Sequence, residues 1–164
     1  MVRKLFICIL LLLCLSLHLV AEDKTATVRY HVDQSYTWEI HSVINFGSNA
    51  GVNQTVDVTA KIGSSDIGVR VLKNVIGDGK ELVISLNDTN TFKVFNGNTT
   101  LDYQVSKTVG GEPLSTNSRV LGVPAGTNTA NQPLYFRLIT GSGAAEVAGH
   151  YRGTVSYTAQ ISDI

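Results

Sequence analysis

Apolar and polar residues alternate with a period of two along most of this chain, and that alternation constrains its fold more than any other feature. Residues 55–62 show it most clearly, with apolar side chains at Val56, Val58, Ala60 and Ile62 and polar side chains between them. Successive side chains of a β-strand point to opposite faces, so the pattern predicts a strand with one buried and one solvated face. Because no segment shows a 3.6-residue period of useful length, we predict an all-β chain.

Similar short runs recur from residue 26 almost to the last residue of the sequence. Turn-forming Gly, Asn and Pro residues separate them, as is typical of sandwiches built from many short strands. The fold class we predict is a single immunoglobulin-like or pilin-like β-sandwich of about eight to ten short strands. The apolar positions of these strands lie within residues 26–32, 36–46, 55–62, 67–71, 82–86, 92–94, 101–105, 120–123, 134–138 and 151–161.

Two glycine-containing turns predict how neighbouring runs connect. The Asp-Gly pair in residues 77–80 and the Asn-Gly pair in residues 95–101 each separate two apolar runs. Such pairs adopt the positive φ angles of tight turns, so both positions are predicted to be β-hairpins. Residues 107–133 are rich in Gly, Ser, Thr, Asn and Pro, and they are predicted to form a loop interrupted by one short strand at 120–123.

The first 21 residues have the layout of a signal peptide. Arg3 and Lys4 precede the apolar stretch 5–20, and Ala21 offers a small residue at the cleavage position. The apolar stretch is shorter than the about 20 residues that a membrane-spanning helix needs. We therefore expect a signal peptide at 1–21, a β-sandwich domain at 22–164, and no membrane span after cleavage. The mature protein is expected to be secreted, extracellular or on the cell surface, after periplasmic transit in a Gram-negative cell.

The composition of the mature chain excludes several classes of site. Cys8 and Cys14 both lie in the predicted signal peptide, so no disulfide, thiol nucleophile or cysteine zinc site is expected afterwards. Without Arg3 and Lys4, 11 of the 13 basic residues remain beside 13 acidic ones, which gives a net charge of −2. This balance, with basic residues scattered among acidic ones, is unlike the basic patch of a nucleic-acid-binding protein.

No arrangement of residues in the sequence indicates catalysis. His31, His41 and His150 are far apart and fall at predicted polar positions, where solvated side chains are the simplest interpretation. No serine lies in a Gly-x-Ser-x-Gly motif, and the glycines match neither a dinucleotide nor a phosphate loop. We therefore predict no enzymatic activity, no catalytic residue, no cofactor and no metal site.

Tyr36 and Trp38 lie two residues apart on one face of a predicted strand. Two aromatic rings in this arrangement can form a platform for stacking sugars, which would make the protein a carbohydrate-binding module that uses Tyr36 and Trp38. They can equally be core residues, because their phase continues into Ile40 and Phe46 and a tryptophan often anchors the packing between two sheets. The sequence leaves both interpretations open.

The two ends of the chain resemble pilin-like subunits and other bacterial surface proteins. The terminal strand of such subunits commonly reads Ala-Gly-x-Tyr/Phe-x-Gly/Ala-x-Val. Residues 38–40 are in addition similar to one copy of the motif of Trp-x-Leu cell-wall-binding proteins, with Ile in place of Leu. The resemblance implies a non-enzymatic, structural or adhesin-like surface protein, with pilus subunits, other surface proteins or cell-wall glycan as partners. The terminal-strand matches are Ala148, Gly149, Tyr151, Gly153, Val155 and Tyr157.

The same resemblance implies a role for the N-terminal segment. In pilin-like assemblies the N-terminal extension of one chain completes the sheet of another by strand addition. The candidate strand-exchange residues here are Thr27, Val28, Tyr30 and Val32, which follow the predicted cleavage site closely. The alternative is that residues 26–32 pair within their own domain, and the oligomeric state differs between the two cases.

Overall fold

The residues that the structure describes form ten β-strands and contain no helix. The structure is a computed structural model that describes residues 27, 29–47, 55–88, 91–140 and 148–164. All ten strands belong to the unit Asp33–Ile164. The strands are β1 Ser35–Ile40, β2 Thr55–Thr59, β3 Val69–Val75, β4 Lys80–Leu86, β5 Lys93–Asn96, β6 Thr99–Ser106, β7 Arg119–Pro124, β8 Ala130–Gln132, β9 Tyr135–Ile139 and β10 Tyr157–Asp163.

The strands form three antiparallel sheets. The first sheet has the order β1-β3-β8, the second β10-β4-β7 and the third β2-β9-β6-β5. The connections β3–β4 and β7–β8 each pass from one of the first two sheets to the other. The last segment of the chain links the third sheet to the second. Arg152 forms a bridge with Phe95 of β5, and β10 then pairs with β4.

The core lies where the inward faces of the three sheets meet, and its composition confirms the predicted alternation. In β4, Leu82, Ile84 and Leu86 are fully buried, and in β9 Phe136 and Leu138 are buried between half-buried neighbours. The buried apolar cluster contains Ala60, Val69, Val71, Leu82, Ile84, Leu86, Leu101, Tyr103, Val105, Val120, Val123, Leu134, Phe136 and Leu138. The predicted all-β sandwich class is therefore confirmed.

One of the two predicted hairpins is confirmed and the other is wrong. β5 and β6 form a hairpin in which Asn96 pairs with Thr99 across Gly97, whose φ is +59°. Residues 77–80 do form a turn, but the flanking strands β3 and β4 pair with different partners in different sheets. Turn residues reverse the chain locally, whereas the packing of the whole fold decides which strands β3 and β4 join.

Several predicted strand boundaries are also wrong. Residues 27 and 29–32 are not in a strand, because alternation marks the two faces of a segment and does not by itself provide a neighbouring strand. The run at 36–46 is a strand only as far as Ile40, and the last run becomes continuous only at Tyr157. Strand β8 was not predicted, because its sequence Ala-Asn-Gln has no alternation to detect.

A β-bulge in β3 changes which side chains face the core. Thr37 pairs with Lys73 and Trp38 with Val71, so Leu72 is the extra residue and is exposed. The bulge turns Asn74 inward, although it is polar. Its amide donates hydrogen bonds to carbonyl oxygens at 3.1–3.2 Å, and these fasten β3 to the end of β7; the acceptors are those of Val123, Pro124 and Thr127.

Candidate interaction surface

β1 and β10 are edge strands that approach each other at one end, and they do not pair with each other in the described residues. Ser35 of β1 pairs with Val75 at one end of the 76–79 connection, and Asp163 of β10 pairs with Lys80 at its other end. At the opposite ends of the two strands, His41 contacts Tyr157. In the described part of the chain each of these strands has one neighbouring strand, β3 for β1 and β4 for β10. We call the space between them the edge groove.

The inward faces of both strands are incompletely covered. Tyr36 and Ile40 share the face of β1 that pairs with the buried residues Asn74 and Val69, yet each is 37% exposed. The inward residues of β10 are half-buried rather than buried, which differs from the fully buried inward residues of its neighbour β4. The edge groove thus combines partly exposed apolar side chains with edge strands that can accept further backbone hydrogen bonds.

His41 closes one end of the edge groove. Its side chain is buried, and its Nε2 lies 2.9 Å from the Tyr157 hydroxyl, while Nδ1 has no hydrogen-bond partner. Its ring also meets those of Phe136 and Tyr157 edge-on. Burial lowers the pKa of His41 from 6.5 to about 4, so the imidazole is neutral at pH 7. The sequence placed His41 on a polar strand face, which is wrong because β1 ends one residue earlier.

A second buried polar contact lies behind His41. The Tyr103 hydroxyl donates a hydrogen bond to the buried carboxylate of Asp88, which also accepts one from the backbone N–H of Phe92 at 3.2 Å. Burial and this bond raise the pKa of Tyr103 above its usual range, and burial also raises that of Tyr157. The hydroxyls of Tyr103 and Tyr157 stay protonated at neutral pH, which suits a structural rather than a proton-transfer role.

The fold is similar to solved structures of pilus proteins. The P pilus rod subunit PapA is similar over 79% of this chain and 99% of its own length, with a TM-score of 0.52 and 13% identity. The chain has a pilin-like fold. A chaperone-usher pilus structure gives a TM-score of 0.48 at 13% identity, covering 86% of this chain and 96% of its own. No protein-family model and no curated protein matches the sequence.

Within this pilin-like fold, Tyr36 and Trp38 flank the edge groove. Trp38 is half-buried, packs against the apolar core and pairs across the strands with the fully buried Val71. Tyr36 is more exposed and pairs with Asn74. Both rings lie on the core-facing side of β1, and the sugar contact predicted for them stays a prediction.

The strand-exchange candidates lie in the unit Met1–Val32. Thr27, Tyr30 and Val32 are exposed, with Tyr30 at 89% and Val32 at 53%. Val28 lies outside the described residues, as does the predicted signal peptide at 1–21. Exposed apolar side chains at alternating positions are the composition that a donated strand requires.

The outer faces of the sheets carry cross-strand ion pairs. Four of them join directly paired residues, and none of these pairs is buried. Surface pairs of this kind contribute little to stability. In the described ranges no three His, Cys, Asp or Glu side chains could share a metal ion, and no helix is long and apolar enough to cross a membrane. The four pairs are Glu39–Arg70, Asp57–Arg137, Lys80–Asp163 and Lys93–Asp102.

Proposed function

We propose that this protein is a non-enzymatic structural subunit of a fimbrial-type surface fibre, and that its copies assemble by strand addition. The observation that carries the proposal is the edge groove between β1 and β10, with half-covered apolar side chains on both strands. The pilin-like fold is consistent with it. An extended segment placed in the groove would extend both edge strands and cover their inward side chains.

The donated segment in this proposal is the N-terminal stretch 24–32 of a second copy. Tyr30 and Val32 alternate with polar residues, so both apolar side chains of a strand formed there would point to the same face. That face would enter the groove, while Thr27, Arg29 and His31 would remain on the solvated side. Backbone hydrogen bonds to the edges would supply affinity, and the apolar side chains would fix the register.

The remaining features of the proposal follow from secretion. Residues 1–21 act as a cleaved signal peptide, residues 22–164 form the mature domain, and the protein works outside the cell or on its surface. Partners are other copies or other surface subunits. An adhesin-like contact with cell-wall glycan is a second candidate, supported by the similarity of residues 38–40 to a Trp-x-Leu motif. Pairing of 26–32 within its own domain is the competing arrangement.

Light scattering coupled to size-exclusion chromatography tests the assembly mode on the chain 22–164. We expect oligomers whose mass grows with concentration, and we expect the double variant Tyr30→Asp, Val32→Asp to abolish them because two charges would enter an apolar groove. Thr27→Asp is the matched control on the solvated face and should assemble normally. A wild-type chain that stays monomeric, or a double variant that assembles like it, would contradict the proposal.

A further inference from the structure

A cavity on the outer face of the third sheet is separate from the edge groove and has no part in the proposed assembly. Its volume is about 100 Å³, and it is bounded by β2, β6, β9 and the turn at 108–111. The outer face of an antiparallel sheet is commonly solvated, so a cavity there needs a wall that rises above the strands. The turn at 108–111 provides that wall.

Strand register brings two rows of side chains to the floor of this cavity. Arg137 of β9 pairs with Asp57 of β2 on one side and with Gln104 of β6 on the other. Tyr135, two residues earlier on the same face, pairs in the same way with Thr59 and with Ser106 of β6. A half-buried aromatic ring therefore lies beside a guanidinium, a carboxylate and an amide, and all of them line the cavity.

Two polar groups of the floor, the side chains of Arg137 and Asp57, orient each other. The Arg137 Nε and Nη2 atoms donate hydrogen bonds to the two carboxylate oxygens of Asp57 at 2.7 and 3.0 Å. This two-point contact aligns the guanidinium and carboxylate in one plane and lowers the pKa of Asp57. Nη1 and the second lone pairs of the carboxylate remain for a ligand. Groups that are already oriented bind a ligand at a smaller entropic cost.

The wall is built to keep its shape as well. The Ser106 hydroxyl donates a hydrogen bond to the Thr108 carbonyl oxygen at 2.8 Å, and the Gly111 N–H donates one to the same oxygen at 3.0 Å. Gly110 has a φ of +65°, which favours glycine and permits the tight turn. Val109, at the tip of this turn, lines the cavity although 75% of it is exposed.

The charge of the cavity limits the class of ligand. Asp57 and Arg137 are the only formally charged side chains among the lining residues, and they neutralise each other. A free anion or cation would therefore meet no uncompensated charge. The cavity therefore offers planar hydrogen-bond donors and acceptors beside the Tyr135 ring and the apolar Val109 side chain. These groups match a neutral cyclic ligand with several hydroxyl groups.

We propose that this cavity binds one unit of a neutral saccharide. The Tyr135 ring contacts the apolar face of the sugar, and the Asp57, Arg137 and Gln104 side chains bind its hydroxyls. The site differs from the Tyr36 and Trp38 pair considered above, and it does not depend on strand addition. It gives a subunit of a surface fibre a contact with glycans along its side.

Saturation-transfer NMR followed by calorimetry tests this site on the chain 22–164. The probes are neutral tetrasaccharides of glucose, mannose, galactose and N-acetylglucosamine. We expect one of them to bind, and we expect Asp57→Asn and Gln104→Ala each to weaken binding by about tenfold or more. Tyr135→Phe keeps the ring and should bind within about threefold of the wild type, whereas Tyr135→Ser should abolish binding.

The matched control is Asp102→Asn, which breaks the Lys93–Asp102 ion pair on the same sheet without touching the cavity. Binding that resists the Asp57 and Gln104 substitutions, or that the control weakens equally, overturns the assignment. Binding of none of the four neutral probes overturns the ligand class. The strand-addition proposal is unaffected by these outcomes, since its variants lie in residues 27–32.

Discussion

The Nε2 atom of His41 lies 2.9 Å from the hydroxyl oxygen of Tyr157, and this contact joins the first residue after β1 to the first residue of β10. It is a side-chain link between two edge strands that have no strand pairing with each other in the described residues. The contact therefore sets the distance between the strands at one end of the edge groove. Because His41 is buried, the contact also makes the groove sensitive to acid.

His41 should make the stability of the domain depend on pH below neutrality. Its pKa is about 4 in the folded protein against 6.5 in the unfolded chain, so between these values only the unfolded state takes up the proton. The free energy of unfolding should fall as the pH drops from 6.5 to 4, by about 1.4 kcal/mol per pH unit at most. Urea unfolding at a series of pH values measures this slope.

Substituting His41 distinguishes its contribution to the pH dependence of stability from that of the carboxylates, which also take up protons in acid. His41→Gln removes the titrating group, and we expect the slope between pH 6.5 and 5 to flatten. His150→Gln changes an exposed histidine and should leave the slope as in the wild type. Equal slopes for wild type and His41→Gln would show that burial of His41 does not govern the acid response.

Gly68 should not tolerate alanine, because a Cβ atom there would lie 2.5 Å from the Cβ of the fully buried Leu134. The backbone cannot move away easily: the Gly68 N–H donates to Gln132 and its carbonyl accepts from His41, both at 2.9 Å. We expect Gly68→Ala to lower the free energy of unfolding by about 1–3 kcal/mol. Urea denaturation at pH 7 checks this value.

The control for Gly68 is another glycine outside the left-handed region. A Cβ at Gly77 would meet only flexible side chains, the nearest atom being Gln34 Nε2 at 3.3 Å. Gly77→Ala should therefore change the free energy of unfolding by less than about 0.5 kcal/mol. If both variants lose the same stability, the contact with Leu134 is not the cause.

The sequence predicted which residues face the core better than it predicted which strands are neighbours. Alternation depends only on local geometry, so the inward positions of β2, β4 and β6 follow directly from it. Pairing depends on the whole fold, so the turn residues at 77–80 predict a hairpin although the turn joins two sheets. The bulge at Leu72, where the alternation of β3 changes phase, likewise has no signal in the chain.

The two buried polar contacts were beyond prediction for a related reason. His41 and Tyr157 are separated by 116 positions, and Asp88 and Tyr103 by 15, so no local pattern links them. The cavity beside Tyr135 was missed because its residues come from three strands and belong to solvated faces, which alternation marks only as polar. What the sequence does show is the apolar alternation of residues 26–32, the segment that the proposed strand addition would use.

Tyr103→Phe should destabilise the fold more than its size suggests. The substitution removes the hydroxyl that donates to the buried Asp88 carboxylate, which also accepts a hydrogen bond from the Phe92 N–H at 3.2 Å. Loss of a donor to a buried charge costs about 1–3 kcal/mol. Thermal unfolding at pH 7 measures the loss. Tyr36→Phe, at a more exposed ring, should stay within about 0.5 kcal/mol of the wild type, and an equal loss in both would contradict a special role for Asp88.

Fluorescence of Trp38 distinguishes the core and sugar-platform interpretations of the edge groove, because the chain contains a single tryptophan. Trp38 packs against the apolar core opposite Val71, so its emission should be blue-shifted relative to the unfolded protein in urea. The neutral tetrasaccharides should leave its wavelength and intensity unchanged, even at concentrations that occupy the cavity beside Tyr135.

Quenching of Trp38 by acrylamide completes this measurement, because a half-buried ring should be quenched less than the same residue in the unfolded chain. Tyr36→Ala should leave the saccharide titration unchanged, because the core interpretation turns that face of β1 toward the apolar core. A red-shifted emission that saccharides quench, with the effect lost in Tyr36→Ala, would instead assign sugar binding to Tyr36 and Trp38. In the proposed fibre the donated strand covers the Tyr36 and Trp38 rings. Because this contact removes water from the edge groove, assembly should shift the Trp38 emission further to the blue.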